Sequence, residues 1–270
     1  MEMKTAVVIL NWNTEGFLRD FLPGLLHSVS KIEGAEVIVA DNASTDGSME
    51  VMHNEFPEVK TLLFDRNLGF TGGYNRAFRE ISDRYGRPEY FLLINSDIEV
   101  TDRWLEPLVK WMDTHPECGA CAPKLHSWQE RDKFEYAGAA GGYIDRFGYP
   151  FCRGRILKRL ETDNGQYDSP ADVFWATGAC LMVRYCLVYG GNDKVLERLN
   201  VIGINDLGVD LDRKDLLLAV NLNADNSAAS LNIVFTRLKL RLHCSHILLH
   251  LLRLLKHGLH IGRASTHSLG

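Results

Sequence analysis

The sequence predicts an α/β fold for residues 1–184: an open, twisted, mostly parallel sheet with helices on its faces. Three observations predict it. Short apolar runs rich in β-branched residues alternate with segments whose apolar residues recur at helical spacing. Such strand–helix alternation is the pattern of a sheet built from parallel crossovers. Each apolar run also ends in a cluster of polar, turn-forming residues, and in open parallel sheets ligands sit at those carboxyl ends.

The elements follow in order. Residues 6–10 form the first buried strand, and 17–29 a helix carrying Phe17, Phe21, Leu25 and Val29 at helical spacing. Residues 36–40 form the second strand, with Asp46 placed as the N-cap of a helix that starts near Ser48. Residues 61–64 are the third strand, and 72–82 a helix opened by glycines. Residues 90–94 are the fourth strand, and Asp102 is placed to cap a helix running through about Met112.

The bulk composition excludes several classes. In 270 residues, 46% are hydrophobic and 24% charged, which removes wholesale disorder and leaves enough apolar material for a sizeable core. The net charge of −5 gives no strongly basic balance, so no nucleic-acid partner is expected. No repeat of solenoid or propeller period is present. Six scattered cysteines suit a reducing compartment rather than a disulfide scaffold. The start of the chain is too short in apolar residues for a signal-peptide core, and no apolar run reaches the ~20 residues of a membrane span. A cytoplasmic location is expected, with any membrane contact made peripherally at the inner face.

A seam divides the chain. All eight prolines and five tryptophans precede residue 176, and only three of the 26 aromatic residues follow Arg184. From Asn232 to Gly270 there are six basic residues, six histidines and no acidic one. Residues 1–184 therefore read as one well-formed domain and 185–270 as a divergent, helical C-terminal segment.

The polar clusters at the strand ends are Asn11-Trp12-Asn13-Thr14, Asp41 to Gly47, Arg66 to Asn75, and Asn95-Ser96-Asp97. Asp41 can accept hydrogen bonds from a base or a ribose, or serve only as an Asx-turn residue. Gly69, Gly72 and Gly73 allow close backbone approach to a diphosphate beside the Arg66 cation. Asp97 can coordinate a divalent cation bridging two phosphates, or simply cap its turn. These features suit a sugar nucleotide.

Taken together, Asn11-Trp12-Asn13, the segment Val39 to Ser48, Asn67-x-Gly69-Phe70-x-Gly72-Gly73-x-Asn75 and Leu93-Ile94-Asn95-Ser96-Asp97 resemble family 2 glycosyltransferases. The resemblance is to the bacterial branch that includes rhamnosyltransferase-like enzymes. The segments Gly119 to Lys124 and Phe174 to Arg184 fit the same pattern, so the resemblance covers about residues 4–184. It implies the GT-A fold, a nucleotide-diphosphate sugar donor, a Mg²⁺ or Mn²⁺ ion, inversion at the anomeric carbon, and a glycan or lipid-linked acceptor in cell-surface polysaccharide synthesis. By position it implies nucleotide contacts from Asn11, Asn13, Asp41, Arg66, Asn67, Gly73, Asn75 and Ser96, and a metal contact from Asp97. Trp175 and Gly178 would line the acceptor side. The family's Asp-x-Asp is Asn95-Ser96-Asp97 here, so the first carboxylate is absent.

The resemblance also implies a base carboxylate about 20–25 residues beyond Arg184, in a Glu-Asp-x-Asp-like motif that this sequence lacks. Gly190-Gly191-Asn192-Asp193 is a faint match to the family's Gly-Gly-Phe-Asp. Asp206 and Asp210 lie at the right distance, although with Asp212 and Asp215 they also read as a solvated helix face. Two explanations stay open: a divergent acceptor half, or a replaced one through frameshift or fusion. Under the second, the chain is an impaired or non-catalytic nucleotide-sugar binding protein. A nucleotidyltransferase is the other enzyme class with such a sheet, but it wants a basic phosphate loop where Asn11-Trp12-Asn13 stands. Residues 245–261 place Leu248, Leu251, Leu252, Leu255 and Leu259 on one helical face and His246, His250, Arg253, His257 and His260 on another. That amphipathic helix suits an anionic bilayer surface or a docked position on the domain. His246 and His250 lack a third zinc ligand, and Cys118 and Cys121 read as buried thiols.

Overall fold

The computed structural model describes residues 2–136 and 139–189. Four strands, β1 (Thr5–Asn11), β2 (Ala35–Asp41), β3 (Lys60–Leu63) and β4 (Tyr90–Ile94), lie parallel in the order β3-β2-β1-β4. The sheet continues past β4 through β10 (Cys180–Arg184) and β5 (Ala120–Cys121), where β10 runs antiparallel to both neighbours. The expected open, mostly parallel sheet is the observed one.

The period-2 alternation of the strands sorts two cores. Val7, Ile9, Val37, Val39, Leu92 and Ile94 face the helices α1 (Glu15–Val29), α2 (Ser48–Glu55) and α4 (Leu105–Thr114). Ala6, Val8, Ile38, Ala40, Phe91 and Leu93 face α3 (Gly69–Tyr85). From β1 the chain winds outward to β2 and β3, then returns to the other side of β1 as β4. The switch point between β1 and β4 is where such sheets open a crevice at their carboxyl ends.

Several local expectations shift. On α1 the buried stripe is Leu18, Leu22, Leu25 and Val29, whereas Phe17 is 45% exposed. Phe17/Phe21 and Leu18/Leu22 have equal helical spacing, and docking on the β1–β2 face selects the leucines. The N-cap of α2 is Gly47 rather than the expected Asp46, which sits one residue earlier and accepts the Ser48 amide at 3.0 Å and the Glu15 amide at 3.0 Å, pinning α1 to α2. Asp102 caps nothing: it pairs with Lys31 at 2.9 Å, and α4 begins three residues later without a side-chain cap. Helix α3 begins at Gly69, so Gly72 and Gly73 lie inside it rather than opening it.

Arg184, at the end of β10, meets carbonyls at and just beyond the end of α4. Its guanidinium donates to Met112 O at 2.7 Å, His115 O at 3.1 Å and Cys118 O at 3.1 Å, and lies over the Tyr90 ring. Beyond it α5 (Tyr185–Tyr189) stacks its first tyrosine on Phe91, the ring centroids 5.9 Å apart. Cys118 and Cys121, expected to be buried, are half-buried against the core, whereas Cys180 is buried; desolvation pushes the Cys121 and Cys180 thiols up to about 12.

Between β5 and β10 an insertion carries a small antiparallel meander, β6 (Gly142–Ile144), β7 (Pro150–Cys152), β8 (Arg155–Ile156) and β9 (Arg159–Leu160). Strands of two or three residues carry no readable alternation, so the sequence pattern does not announce them. The insertion is pinned by Lys124, which bridges Asp163 and Asp168, and by His126 at 2.8 Å from Asp163. The Lys124 ammonium holds the Asp163 carboxyl down at about 2.

Two outcomes are expected in urea unfolding. Leu18→Ala lowers stability by about 2–5 kcal/mol, whereas Phe17→Ala changes it by less than about 1 kcal/mol; comparable losses would put the buried face elsewhere. The depressed Asp163 carboxyl stabilises fully above its ordinary value of 3.8 and loses that contribution as pH falls toward about 2. The stability gap between the parent and Asp163→Asn should therefore close over that acid window.

Candidate functional site

The parallel register sets Asn11, the last residue of β1, directly beside Asp41, the last residue of β2. Both are buried. The Asn11 carboxamide nitrogen donates to Asp41 Oδ1 at 2.8 Å and to Ser44 Oγ at 3.0 Å, and Asp41 Oδ2 accepts the Ser44 amide at 3.0 Å. The Asn11 side-chain oxygen takes the Thr14 hydroxyl. Asp41 thus closes an Asx-type turn through Oδ2, while Oδ1 is engaged by Asn11 on the neighbouring strand. Asn13 adds a second tie: its amide donates to Ser44 Oγ at 2.9 Å, and its side-chain oxygen accepts the Thr45 amide at 2.7 Å. Asn13 and Ala43 both hold positive φ, 56° and 62°. For Asn that is ordinary, and for Ala it is a strained state that the surrounding bonds over-determine.

The loop after β3 is locked to the same bed through Asn42, also buried. Its amide donates to Asn11 O at 2.8 Å, its side-chain nitrogen to Asn67 Oδ1 at 2.9 Å and Gly69 O at 3.2 Å, and its side-chain oxygen accepts the Leu68 amide at 2.9 Å. Asn67 Oδ1 in turn accepts the Gly69 amide at 2.7 Å. The start of α3 is therefore fixed over the ends of β1 and β2, where its first free amides favour a negatively charged group. Gly73 is required for packing: a Cβ there would stand 2.6 Å from Leu10 Cδ2 and 3.2 Å from Asn42 Nδ2. Asn75 lies further along α3 and is exposed. Arg66 is exposed on the same loop and forms no hydrogen bond or ion pair among the described residues.

On the other side of β1, the loop after β4 carries Asn95, Ser96 and Asp97. Ile94 pairs with Ile9, so this loop leaves the sheet level with Asn11. The Asn95 amide donates to Ala179 O at 2.9 Å, which ties the loop to the approach of β10. Asp97 is exposed and has no hydrogen-bond or ion-pair partner among the described residues. No cluster of three His, Cys, Asp or Glu side chains exists among the described residues. A single free carboxylate is nonetheless a donor set that fits Mg²⁺ or Mn²⁺, which commonly take one or two carboxylates and complete their shells with phosphate oxygens and water.

Of the two residues expected on the acceptor side, Gly178 packs on the Phe70 ring at the start of α3, where a Cβ would come within 2.8 Å. Trp175 is engaged with the meander: its indole nitrogen donates to Tyr143 O at 3.2 Å and its ring covers Gly142. Asp206, Asp210, the segment Gly190 to Asp193 and the amphipathic pattern at 245–261 lie outside the described residues. Asn42 and Ser44, which bind the loops together, are not among the site residues expected from the sequence. Both stand in the quoted segment Val39 to Ser48, and two amide-type side chains ending adjacent strands, Asn11 and Asn42, were the available signal.

The sequence matches the family described as Glycosyl transferase family 2 over residues 6–173. It is 25% identical over 196 residues to the N-acetylglucosaminyl-diphospho-decaprenol L-rhamnosyltransferase of Mycobacterium tuberculosis, covering 66% of this chain and 60% of that protein. It is also 25% identical over 115 residues to the poly(ribitol-phosphate) beta-glucosyltransferase of Bacillus spizizenii, covering 43% and 18%. The chain thus spans less than two thirds of the length of these relatives. In fold it is similar to the crystal structure of S. aureus TarS, with a TM-score of 0.51 and 15% identity, over 91% of this chain and 41% of that one.

Asn42→Ala should cost about 0.5–1.5 kcal/mol in urea unfolding, since it removes the side-chain bonds to Asn67, the Leu68 amide and the Gly69 carbonyl in the loop after β3. Hydrogen exchange should quicken at the Leu68 amide. Unchanged exchange there would show that Asn42 does not hold the loop.

Proposed function

The chain belongs to glycosyl transferase family 2, and from that membership we propose that it moves a sugar from a nucleotide-diphosphate donor to a glycan or lipid-linked acceptor, with inversion, in bacterial cell-surface polysaccharide synthesis. The observation that carries this reading is the carboxylate of Asp97, without a partner among the described residues, at the switch point beside β1, next to a pre-ordered bed of Asn11, Asp41, Asn42 and Asn67. The exposed Arg66 cation and the amides opening α3 suit the diphosphate. The Asn11 to Thr45 loops suit the nucleoside, with Asn13, Ser96 and Asn75 at its margins. Gly178 and Trp175 would then border the acceptor side.

In this reading the acceptor oxygen attacks the anomeric carbon from the face opposite the diphosphate. The new carbon–oxygen bond forms as the bond to the diphosphate oxygen breaks, and the diphosphate departs with that electron pair. The acceptor's proton passes to a carboxylate, assigned to Asp206 with Asp210 second. Asp97 would hold a Mg²⁺ or Mn²⁺ ion, which would supply charge neutralisation on the leaving group. The polar bed is already bonded internally, so it binds without reorganising, which lowers the barrier by positioning. The reaction is placed on the cytoplasmic side, at the inner face of the membrane.

The test pairs calorimetry on UDP-, dTDP- and GDP-sugars, with and without Mg²⁺, with an assay for released nucleoside diphosphate in the presence of a lipid-linked acceptor. The parent chain should bind one donor in a metal-dependent way and release diphosphate. Asp97→Asn should lower release by about 100-fold or more and remove the metal dependence of binding, and Asp206→Asn should lower release while leaving binding intact. Metal-dependent binding that persists in Asp97→Asn contradicts the assignment. Binding by the parent chain without any release supports the non-catalytic reading, which the missing Glu-Asp-x-Asp pattern favours.

A further inference from the structure

The meander presents a surface that the transfer site does not use. Its four strands are successive antiparallel neighbours. Alternate turns of such a meander lie at the same end, so the β6–β7 loop and the β8–β9 turn project together. Between them they expose Phe147, Tyr149, Ile156 and Leu157, the last at 87%. Isolated exposed apolar residues are ordinary, but a contiguous apolar tip on two adjacent turns marks an interaction surface.

Both turns hold these side chains outward by construction. In the first, Asp145 Oδ1 accepts the amides of Phe147 at 2.8 Å and Tyr149 at 2.9 Å, the Asp145 amide donates to Tyr149 O at 2.9 Å, and Gly148 takes a φ of 86°. The only acid of the segment is thereby spent on shaping the loop. In the second, Ile156 pairs with Arg159, leaving a two-residue turn of Leu157 and Lys158. Such turns favour Asn or Gly because they need positive φ. Leu157 occupies that conformation at φ 53°, so the sequence keeps a large apolar side chain at a position where a small polar one would fit the backbone better.

The surrounding charge is one-sided. Residues 142–160 contain Arg146, Arg153, Arg155, Lys158 and Arg159 against the single Asp145, in a chain of net charge −5. None of the five cations is in an ion pair among the described residues, although Arg146 lies over the Phe147 ring and Arg155 over the Tyr136 ring. An apolar, aromatic tip flanked by unneutralised cations is complementary to a surface with an apolar interior and anionic headgroups.

We propose that this end of the meander is a membrane-docking surface: Phe147, Tyr149 and Leu157 enter the interfacial layer of a bilayer containing anionic lipid, and Arg146, Lys158 and Arg159 meet its headgroup phosphates. The surface is independent of the amphipathic pattern at 245–261 and of any sugar donor.

The experiment uses the full chain, without donor or metal, and sedimentation with vesicles of equal parts phosphatidylcholine and phosphatidylglycerol, or of phosphatidylcholine alone. Binding should appear with the mixed vesicles and fall at high salt. Leu157→Asn suits the turn, so its melting temperature should stay level or rise while vesicle affinity drops by about tenfold. Phe147→Ser should act in the same direction, and Lys158→Ala should weaken binding by roughly fivefold. The proposal is overturned if the parent does not bind mixed vesicles, or if Leu157→Asn and Phe147→Ser bind them as the parent does. It is also overturned if the tip instead drives a lipid-free dimer that these substitutions dissolve. Because no donor is present, none of these results bears on the glycosyl-transfer reading.

Discussion

The carboxamide of Asn11 joins elements that the chain brings together from far apart. It sits at the last position of β1 with no exposure to solvent, and a buried amide must find partners or cost the domain the penalty of unpaired polar groups. It finds them in Asp41, Ser44 and Thr14. That requirement is met only when β1 and β2 pair in the observed register, with Asn11 opposite Asp41. A one-residue slip would also turn the alternating side chains of β1 to the wrong core. Register, core sorting and loop geometry are one constraint.

From that constraint the rest of the carboxyl edge follows. Asn42 comes next in the chain and reaches the loop after β3, which fixes where α3 begins. Gly73 is then needed because Leu10 and Asn42 fill the space a side chain would occupy. Across β1, the Asn95 amide is held by Ala179, so the loop bearing Asp97 is anchored by the strand that returns from the insertion. Arg184 secures that returning strand against the end of α4. The result is an edge where the buried side chains of Asn11, Asp41 and Asn42 are bonded, and where the outward charges, Asp97 and Arg66, have no partner among the described residues.

Much of this was legible in the sequence, for a physical reason. Buried parallel strands are short apolar runs, and their ends are marked by residues that turn the chain, so all four could be located, with Tyr90–Ile94 bounded as expected. The polar clusters at those ends could be assigned to one edge because the crossovers leave no other arrangement. What depended on packing was not legible. Phe17 and Leu18 offer rival stripes of equal period, and only the docked helix distinguishes them. Asp102 looks like a cap but finds Lys31, 71 residues away, a contact no local pattern signals. The meander escapes because two-residue strands have no period, and the roles of Asn42 and Ser44 emerge only when their loops are brought together.

The central claim, that the carboxyl ends of β1 to β4 form one nucleotide-and-cation site, is tested most directly by NMR on isotopically labelled protein titrated with a nucleoside diphosphate and Mg²⁺. The account predicts shift changes gathered on Asn11, Asn13, Asp41, Arg66, Asn67 and the residues opening α3, with Asp97 responding when metal is added. Replacing Mg²⁺ with paramagnetic Mn²⁺ should broaden Ser96 and Asp97 first. Changes concentrated on the meander, on α4 or at the opposite edge of the sheet, or a Mn²⁺ effect that spares Asp97, would contradict it.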